Sequence, residues 1–371
     1  MPQVIRIWAM LKVPFILLFG LLSIGASRAH ADVAPLYATQ PATPTATIAA
    51  TAPAINSPID DNKISMPQIF LSDFYFQPEI RAIEGAKGGV DPLAWYLGAK
   101  TNFASWVDFQ VSVGASSLLF RPTWAPVQTI GPIAVIDALA TLHTLIGDVY
   151  AGQTLVPWGL EGQTKETQMW LPRDLLFENG AFPLRDVGVG MRTELNGFFM
   201  NIMAHNGEGA DSGDVDNRMF FTTQWGFLGP ANSTFGISAT AGRVAAPLIT
   251  SEEHIRGGNT FFGFNIFGLG LQAEGSYLQY ITAPQTIDTF AWHVDLEHPI
   301  TSHINFIGRY EQYNPNTRMT SNIQTRAYAG GEYHSKDNSS RLFLFAVQNQ
   351  FSETSGPGNQ LQLAWRLSPP Q

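Results

Sequence analysis

The chain has 371 residues, with 21 Lys and Arg against 30 Asp and Glu, and a formal net charge of −9 at pH 7. An acidic chain of this kind is a poor candidate for binding nucleic acid. The sequence contains no cysteine, which excludes thiol nucleophiles, zinc–thiolate sites and iron–sulfur clusters.

Residues 1–31 have the parts of a secretory signal peptide. Arg6 and Lys12 lie at the basic start, the apolar run VPFILLFGLLSIGA follows, and the small-x-small tripeptide AHA ends the segment. An N-terminal anchor helix is the alternative, but the run contains Pro14 and is shorter than the ~20 residues that span a bilayer. We therefore expect export, with the mature chain beginning near Asp32.

Residues 32–64 are rich in Thr, Ala and Pro and have few charges. Repeated proline breaks helix and strand alike, and the segment has little apolar surface to bury. The sequence predicts an extended periplasmic tether here, followed by a single folded domain over residues 65–371.

The composition of that domain is typical of a membrane β-barrel. Charged residues make up only 14% of the chain and aromatic residues 12%, whereas typical soluble domains have about 25% charged residues. No apolar stretch after residue 31 is long enough for a spanning helix. In hydrocarbon every backbone N–H and C=O must be paired internally, so only helices and closed barrels are stable there.

From Ile69 onward the hydrophobic pattern has a period of two. In residues 107–113, for example, Val and Phe alternate with Asp, Gln and Ser, which places one face in an apolar and one in a polar medium. A soluble sandwich or secreted barrel would also alternate, but its polar face would be rich in Lys and Glu. Here that face is Gln, Asn, Ser and Gly with scattered charges, which favours a water-filled lumen.

The pattern predicts an all-β fold, a transmembrane antiparallel barrel of about 16 strands, although 12, 14 or 18 strands would fit too. The expected strands lie near residues 69–77, 93–99, 105–115, 133–144, 146–155, 186–194, 197–206, 217–226, 233–243, 260–267, 268–280, 287–297, 303–313, 323–334, 340–350 and 358–367. Tight turns such as Asn196-Gly197, a type I′ hairpin signal, alternate with longer polar loops such as NGEGADSGDVD, TSEEHIRGG and NPNTRMTSN. Short periplasmic turns and long extracellular loops are typical of outer-membrane barrels.

The longest interruption covers about residues 157–185 and is too apolar for a freely solvated loop. It contains Trp158, Trp170, Leu176 and Phe177, so we expect it to fold into the barrel and narrow the pore. A cap outside the barrel is the alternative. The charged residues assigned to this constriction loop are Glu161, Lys165, Arg173, Asp174 and Arg185.

Several segments resemble the phosphate-selective porin O and P family of outer-membrane channels. They are VYAGQTLVPWGLEGQ (149–163), LRDVGVGM (184–191), AHNGEG (204–209) and DVDNRMFF (214–221), in that order, within residues 133–226. The resemblance implies a 16-stranded porin, often trimeric, with an inward-folded third loop. The chain departs from the family in two respects: acids outnumber bases on the polar faces, and the sequence ends in WRLSPPQ instead of a terminal aromatic residue.

The charged residues expected to line the pore and set its selectivity fall on polar strand faces. They are Arg192, Glu194, Arg218, Asp295, Glu297, Arg309, Glu311 and Arg326. Family members that select phosphate carry a lumenal ladder of Arg with clustered Lys. Because acids outnumber bases here, phosphate selectivity is not carried over, and phosphate or other anions are only candidate solutes.

Two clusters could be read as metal sites. His293, Asp295 and Glu297 alternate along one strand face, at about 6.6–6.8 Å spacing, and a solvated lumenal wall explains them without a metal. Asp211, Asp214, Asp216 and Asn217 could bind Ca²⁺, but the segment lacks the glycine and distal Glu of an EF-hand. We expect no metal, no cofactor and no catalytic residues.

The sequence therefore predicts a bacterial outer-membrane porin that passes small hydrophilic solutes or ions by diffusion. Its expected partners are outer-membrane lipid, those solutes, the barrel assembly machinery and two further copies in a homotrimer, with no nucleic acid. The alternative is a barrel that serves as a structural anchor or adhesin without an open pore.

Overall fold

The computed structural model describes residues 68–83, 89–90, 94–124, 131–212, 218–230, 233–245, 252–282, 285–319, 321–351 and 358–369. The expected signal peptide (1–31) and tether (32–64) lie outside the described residues, as do Asp214, Asp216 and Asn217.

The described chain is almost entirely β-structure. The strands are β1 Gln68–Gln77, β2 Glu79–Ile83, β3 Gly89–Val90, β4 Ala94–Ala104, β5 Val107–Ala115, β6 Ile133–Thr144, β7 Gly147–Leu155, β8 Arg185–Leu195, β9 Phe198–His205, β10 Phe220–Leu228, β11 Thr234–Ala245, β12 Glu252–Ile266, β13 Leu269–Thr282, β14 Gln285–Pro299, β15 Ile304–Asn314, β16 Gln324–His334, β17 Ser340–Phe351 and β18 Gln360–Leu367. Short helices occur at Ser116–Leu118 and Glu161–Gln163 (3₁₀) and at Leu175–Glu178 (α).

These 18 segments form a closed antiparallel barrel of 16 strands. β1 and β2 are one barrel strand interrupted at Pro78, which has no N–H to donate to a ladder. The first part pairs with β4 and the second with β18, which closes the barrel. The two-residue β3 pairs with β2 in nearly the register of β4, so β3 and β4 occupy one strand position. The predicted fold class is confirmed.

The tight turns lie where the sequence predicts them. Asn196 and Gly197 join β8 to β9 with φ values of 51° and 82°, and Phe267 and Gly268 join β12 to β13 with 53° and 81°. Positive φ at both central positions is the requirement of a type I′ hairpin turn. Both termini of the barrel lie at this short-turn end, because Gln68 pairs beside the β4–β5 turn and Leu367 pairs with Ser340.

Two connections at the opposite end of the barrel, where long loops are predicted, differ from the prediction. β12 begins at Glu252 rather than near residue 260, so much of the expected loop TSEEHIRGG is a strand paired with β11. Backbone pairing near a barrel rim does not need apolar side chains, and the polar, Gly-containing segment therefore gave no strand signal. The connection between β13 and β14 is only residues 283–284, so not every loop at this end is long.

The barrel is apolar outside and polar inside. Large apolar side chains on the outward face are exposed, among them Trp225, Ile237 and Leu344, whereas Arg309 and Glu311 are buried inside. This inversion is the pattern expected of a barrel surrounded by lipid. In the described residues no helix is long and apolar enough to cross a membrane.

Candidate functional site in the barrel interior

The β7–β8 connection, residues 156–184 (the inner loop), lies inside the barrel and crosses it. Trp158 donates from Nε1 to Ser276 Oγ of β13 at 3.1 Å. Glu178 pairs with Arg326 of β16 at 2.5 Å, and Lys165 Nζ lies 3.5 Å from Asp73 of β1. The loop therefore contacts lumenal side chains from widely separated strands of the barrel.

Apolar packing holds the inner loop against the wall. Trp158 and Phe182 are fully buried and stack with ring centroids 4.5 Å apart. With Leu176, Phe177 and Leu184 they form the largest apolar cluster of the barrel interior, against wall residues of β7, β9, β13, β14 and β15. Burial of large apolar side chains stabilises by about 1.5–3 kcal/mol each, which explains why this loop is apolar.

Gly159 lies where the inner loop passes close to the barrel wall. Its φ of +63° lies in the left-handed region, and a Cβ at this position would meet Glu274 Oε1 at 1.8 Å. Glu274 accepts hydrogen bonds from the backbone N–H groups of Leu160 and Glu161 at 2.8 and 3.2 Å. Only glycine allows this close approach.

Arg309 of β15 joins the wall to the loop. Its Nε and Nη2 bind the two oxygens of Asp295 at 2.6 Å each. Its Nη1 reaches Glu161 Oε1 at 3.1 Å and Pro172 O at 2.8 Å. The prediction of a solvated wall is wrong for His293 and Asp295, which are 4% and 3% exposed, because the inner loop covers both.

Arg326 of β16 makes a second junction. Its Nε binds Glu311 at 2.5 Å, and its Nη2 donates to Arg173 O at 3.0 Å. Glu311 also accepts the N–H of Leu175 at 2.9 Å, at the start of the short helix Leu175–Glu178. Asp174 caps that helix by accepting the N–H of Phe177 at 3.1 Å.

Glu166, which lies between these two junctions along the loop, forms a third junction. It binds Arg185 of β8 at 2.8 Å and Arg173 at 3.1 Å, and Arg185 also binds Asp137 of β6 at 3.1 Å. Burial alone would raise the pKa of Glu166, but the guanidiniums of Arg185 and Arg173 outweigh burial and hold the pKa well below its usual range.

The remaining expected pore residues stay nearer to solvent. The side chains of Lys165 and Arg192 are 25% and 38% exposed, and Arg192 pairs with Asp148 at 3.0 Å. Glu194 is exposed and Arg218 partly buried. Glu297 accepts a hydrogen bond from Asn305 at 2.9 Å. The thirteen expected site residues thus divide into buried anchors of the loop and partly solvated charges.

Sequence reasoning missed Glu166 and Glu178 as members of these junctions. Glu178 and its partner Arg326 are 148 positions apart, and no local motif relates them. The apolar content of the loop signalled that it packs, but not which carboxylates would meet the wall.

Glu161, Asp174 and His293 come together at the centre of the interior. His293 Nδ1 lies 3.3 Å from Asp174 Oδ2, and one ligand-type atom of each residue lies within 4.8 Å of the others. Burial raises the pKa of Glu161 to about 8, opposed by the Arg309 charge. A cavity of about 40 Å³ adjoins the cluster and is lined in part by Glu161, His293 and Glu274.

No protein-family model and no curated protein matches the chain. Solved structures do match in fold. OmpT, an outer-membrane protein of Vibrio cholerae in its trimer form, matches with a TM-score of 0.57 and 12% identity, covering 81% of this chain and 99% of that one. The anion-selective porin from Comamonas acidovorans gives 0.56 and 11%, with coverage of 81% and 100%. The outer-membrane channel DcaP of Acinetobacter baumannii gives 0.57 and 12%, with coverage of 81% and 97%.

The fold is that of an outer-membrane porin. At 11–12% identity the likeness to these three structures extends to the fold alone. The resemblance to the phosphate-selective porin O and P family stays a prediction.

Proposed function

We propose that this porin-type barrel forms a narrow channel in a bacterial outer membrane for diffusion of small hydrophilic solutes or ions. The observation that carries the proposal is a closed barrel with an apolar outer surface and a loop anchored across its polar interior. A barrel of this size has room for an aqueous passage. The inner loop divides that interior and would set the size of the solutes that pass.

We propose weak ion preference rather than phosphate selectivity. Anion selectivity of the ladder type needs lumenal guanidinium groups available to the passing ion. Three buried, inward-facing arginines are engaged instead: Arg309 with Asp295, Arg326 with Glu311, and Arg366 with the carbonyl of Met169. Charges nearer to solvent are of both signs.

Assembly as a homotrimer belongs to the same proposal, as does insertion by the barrel assembly machinery. One matched structure, OmpT of Vibrio cholerae, is described in a trimer form, and an exported barrel with this apolar outer surface needs insertion into lipid.

Single cysteines test the channel, because the chain has none of its own. Gln168→Cys places a thiol on the inner loop beside the cavity. We expect this cysteine to react with a hydrophilic, charged thiol reagent, and the labelling to lower single-channel conductance in a planar bilayer. The matched control is Val294→Cys, on the outward face of β14, which should leave the current unchanged.

The alternative of an anchor or adhesin predicts a different result. A correctly folded protein, with heat-modifiable mobility in SDS, would then give no ion current before or after labelling. That outcome would overturn the channel proposal.

A further inference from the structure

The interior cluster of Glu161, Asp174 and His293 combines ligands from two parts of the chain. His293 comes from the wall strand β14, and the two carboxylates come from the inner loop. All three residues are at most 5% exposed. One imidazole nitrogen with two carboxylate oxygens is a donor set that suits divalent transition metals.

We propose that Glu161, Asp174 and His293 bind one divalent transition-metal ion, represented by Zn²⁺, which pins the inner loop to the barrel wall.

The spacing of the donor atoms is close to what such an ion requires. Ligand atoms of a tetrahedral zinc site lie about 3.4 Å apart, given bond lengths of 2.0–2.2 Å. His293 Nδ1 and Asp174 Oδ2 are already 3.3 Å apart. The wider separations in the trio, up to 4.8 Å, would close by side-chain movements of about one ångström.

The charges around the cluster of Glu161, Asp174 and His293 also favour a bound cation. Four carboxylates meet in this part of the interior: Glu161, Asp174, Glu274 and Asp295. The positive charges that oppose these carboxylates are the guanidinium of Arg309 and, when protonated, the imidazole of His293. If all four carboxylates are ionised, a surplus of two negative charges remains even then, and unbalanced buried charge is strongly unfavourable. A divalent cation at the trio would neutralise that surplus.

The ligands are held in place by further contacts, as is usual for metal sites. Glu161 accepts from Arg309 Nη1 at one oxygen and from the Asp174 N–H at the other, both at 3.1 Å. Asp174 uses its Oδ1 to cap the short helix and leaves Oδ2 toward His293. The adjoining cavity of about 40 Å³ has room for the one water that would complete a tetrahedral coordination.

Metal binding is measured on the full-length folded barrel in detergent, after treatment with EDTA and dialysis. We expect titration with Zn²⁺ to show one site per chain and elemental analysis to recover one equivalent after desalting. With Co²⁺ as the probe, the intense visible absorption of a tetrahedral complex should appear. Absence of binding below millimolar metal would overturn the proposal, whether or not the barrel conducts ions.

Two variants locate the site. His293→Gln and Glu161→Gln keep approximate side-chain size and polarity, and each should reduce Zn²⁺ affinity at least tenfold while heat-modifiable mobility stays intact. If one variant fails to fold, the other and the Co²⁺ spectrum of the wild type still test the site.

His143→Ala is the matched control, because His143 also lies between two carboxylates, those of Asp108 and Asp148, at a more exposed position. It should leave the stoichiometry at one and the Co²⁺ spectrum unchanged. Loss of binding in His143→Ala with retention in His293→Gln would place the metal at that exposed cluster and overturn the proposal.

Discussion

At Arg309, one guanidinium donates to acceptors on three residues from two parts of the chain. Asp295 comes from the neighbouring strand, while Glu161 and the carbonyl of Pro172 come from the inner loop. The residue lies at a lumenal position where a selectivity charge would be expected. Because its donors are directed to buried acceptors, it stabilises the packing of the loop instead.

Removing Arg309 should therefore affect stability much more than removing a similar arginine nearer to solvent. Arg309→Ala leaves the buried carboxylates of Asp295 and Glu161 without their cation, which costs about 3–5 kcal/mol for a broken buried pair. Arg192→Ala is the matched control, since its pair with Asp148 is partly exposed and should contribute no more than about 1 kcal/mol. The free energies of unfolding in denaturant measure both, and equal losses would contradict the assignment.

At the scale of elements, the inner loop is anchored at three junctions, on β15, β16 and β8. Apolar packing of Trp158 against Phe182 holds its two ends. A loop of about 30 residues would otherwise sample many conformations, and fixing each residue costs about 1–2 kcal/mol of backbone entropy. Several independent anchors are needed to offset that cost.

The junction at Glu166 should be insensitive to mild acid. The groups facing it are Asp73, Tyr75, Tyr96, Asp137, Lys165, Arg173 and Arg185. The folded pKa of Glu166 is lowered, so its ionised form contributes stability fully above the unfolded value of about 4.3 and loses it as the pH falls through the lower folded value.

Glu166→Gln tests the direction of this pKa shift. Between pH 5 and 8 the variant should unfold at a lower denaturant concentration than the wild type, and the difference in midpoint should be constant. Below about pH 4 that difference should shrink. A difference that disappears already between pH 7 and 5 would mean that Glu166 is not held ionised by Arg173 and Arg185.

Shortening the inner loop should widen the channel. Deleting residues 167–171, which include Trp170 and Leu171, removes side chains that line the cavity or pack on the wall and leaves Glu166 and Arg173 in place. We expect single-channel conductance well above wild type. A deletion of two residues in the β16–β17 turn, at Asp337 and Asn338, is the control and should leave conductance unchanged. Unchanged conductance in the first variant would mean that the loop does not limit the pore.

At the scale of the whole molecule, closure of the sheet leaves no unpaired strand edge, because β1 and β2 pair with both β4 and β18. Closed ladders resist detergent denaturation, so the protein should migrate differently in SDS before and after boiling. Helical circular dichroism with identical mobility in both states would contradict the barrel.

Charge on the outward face should impair assembly. Leu344 of β17 is 50% exposed on that face, and Leu344→Arg should cost roughly 2–4 kcal/mol near mid-membrane depth. Gln272→Arg, on the inward face beside the cavity, is the control with the same added charge, and it should assemble normally. Folding yield into lipid vesicles measures both, and equal yields would argue against a lipid-facing position for Leu344.

The sequence alone determined the class of fold, the approximate strand number and the inward and outward faces, because these depend on a period of two that every strand repeats. Asn196-Gly197 determined its own turn for the same local reason. The sequence could not place Pro78 as a break within one barrel strand, nor extend β12 back to Glu252, since backbone pairing leaves no trace in side-chain polarity. For Asp295, Arg309 and Arg326, it determined only that they face inward. Whether they contact water or the inner loop was decided by the tertiary structure. The loop residues Glu161 and Glu178 lie more than a hundred positions away from Arg309 and Arg326. A lumenal charge holds the loop in place only where that distant part of the chain excludes water from it.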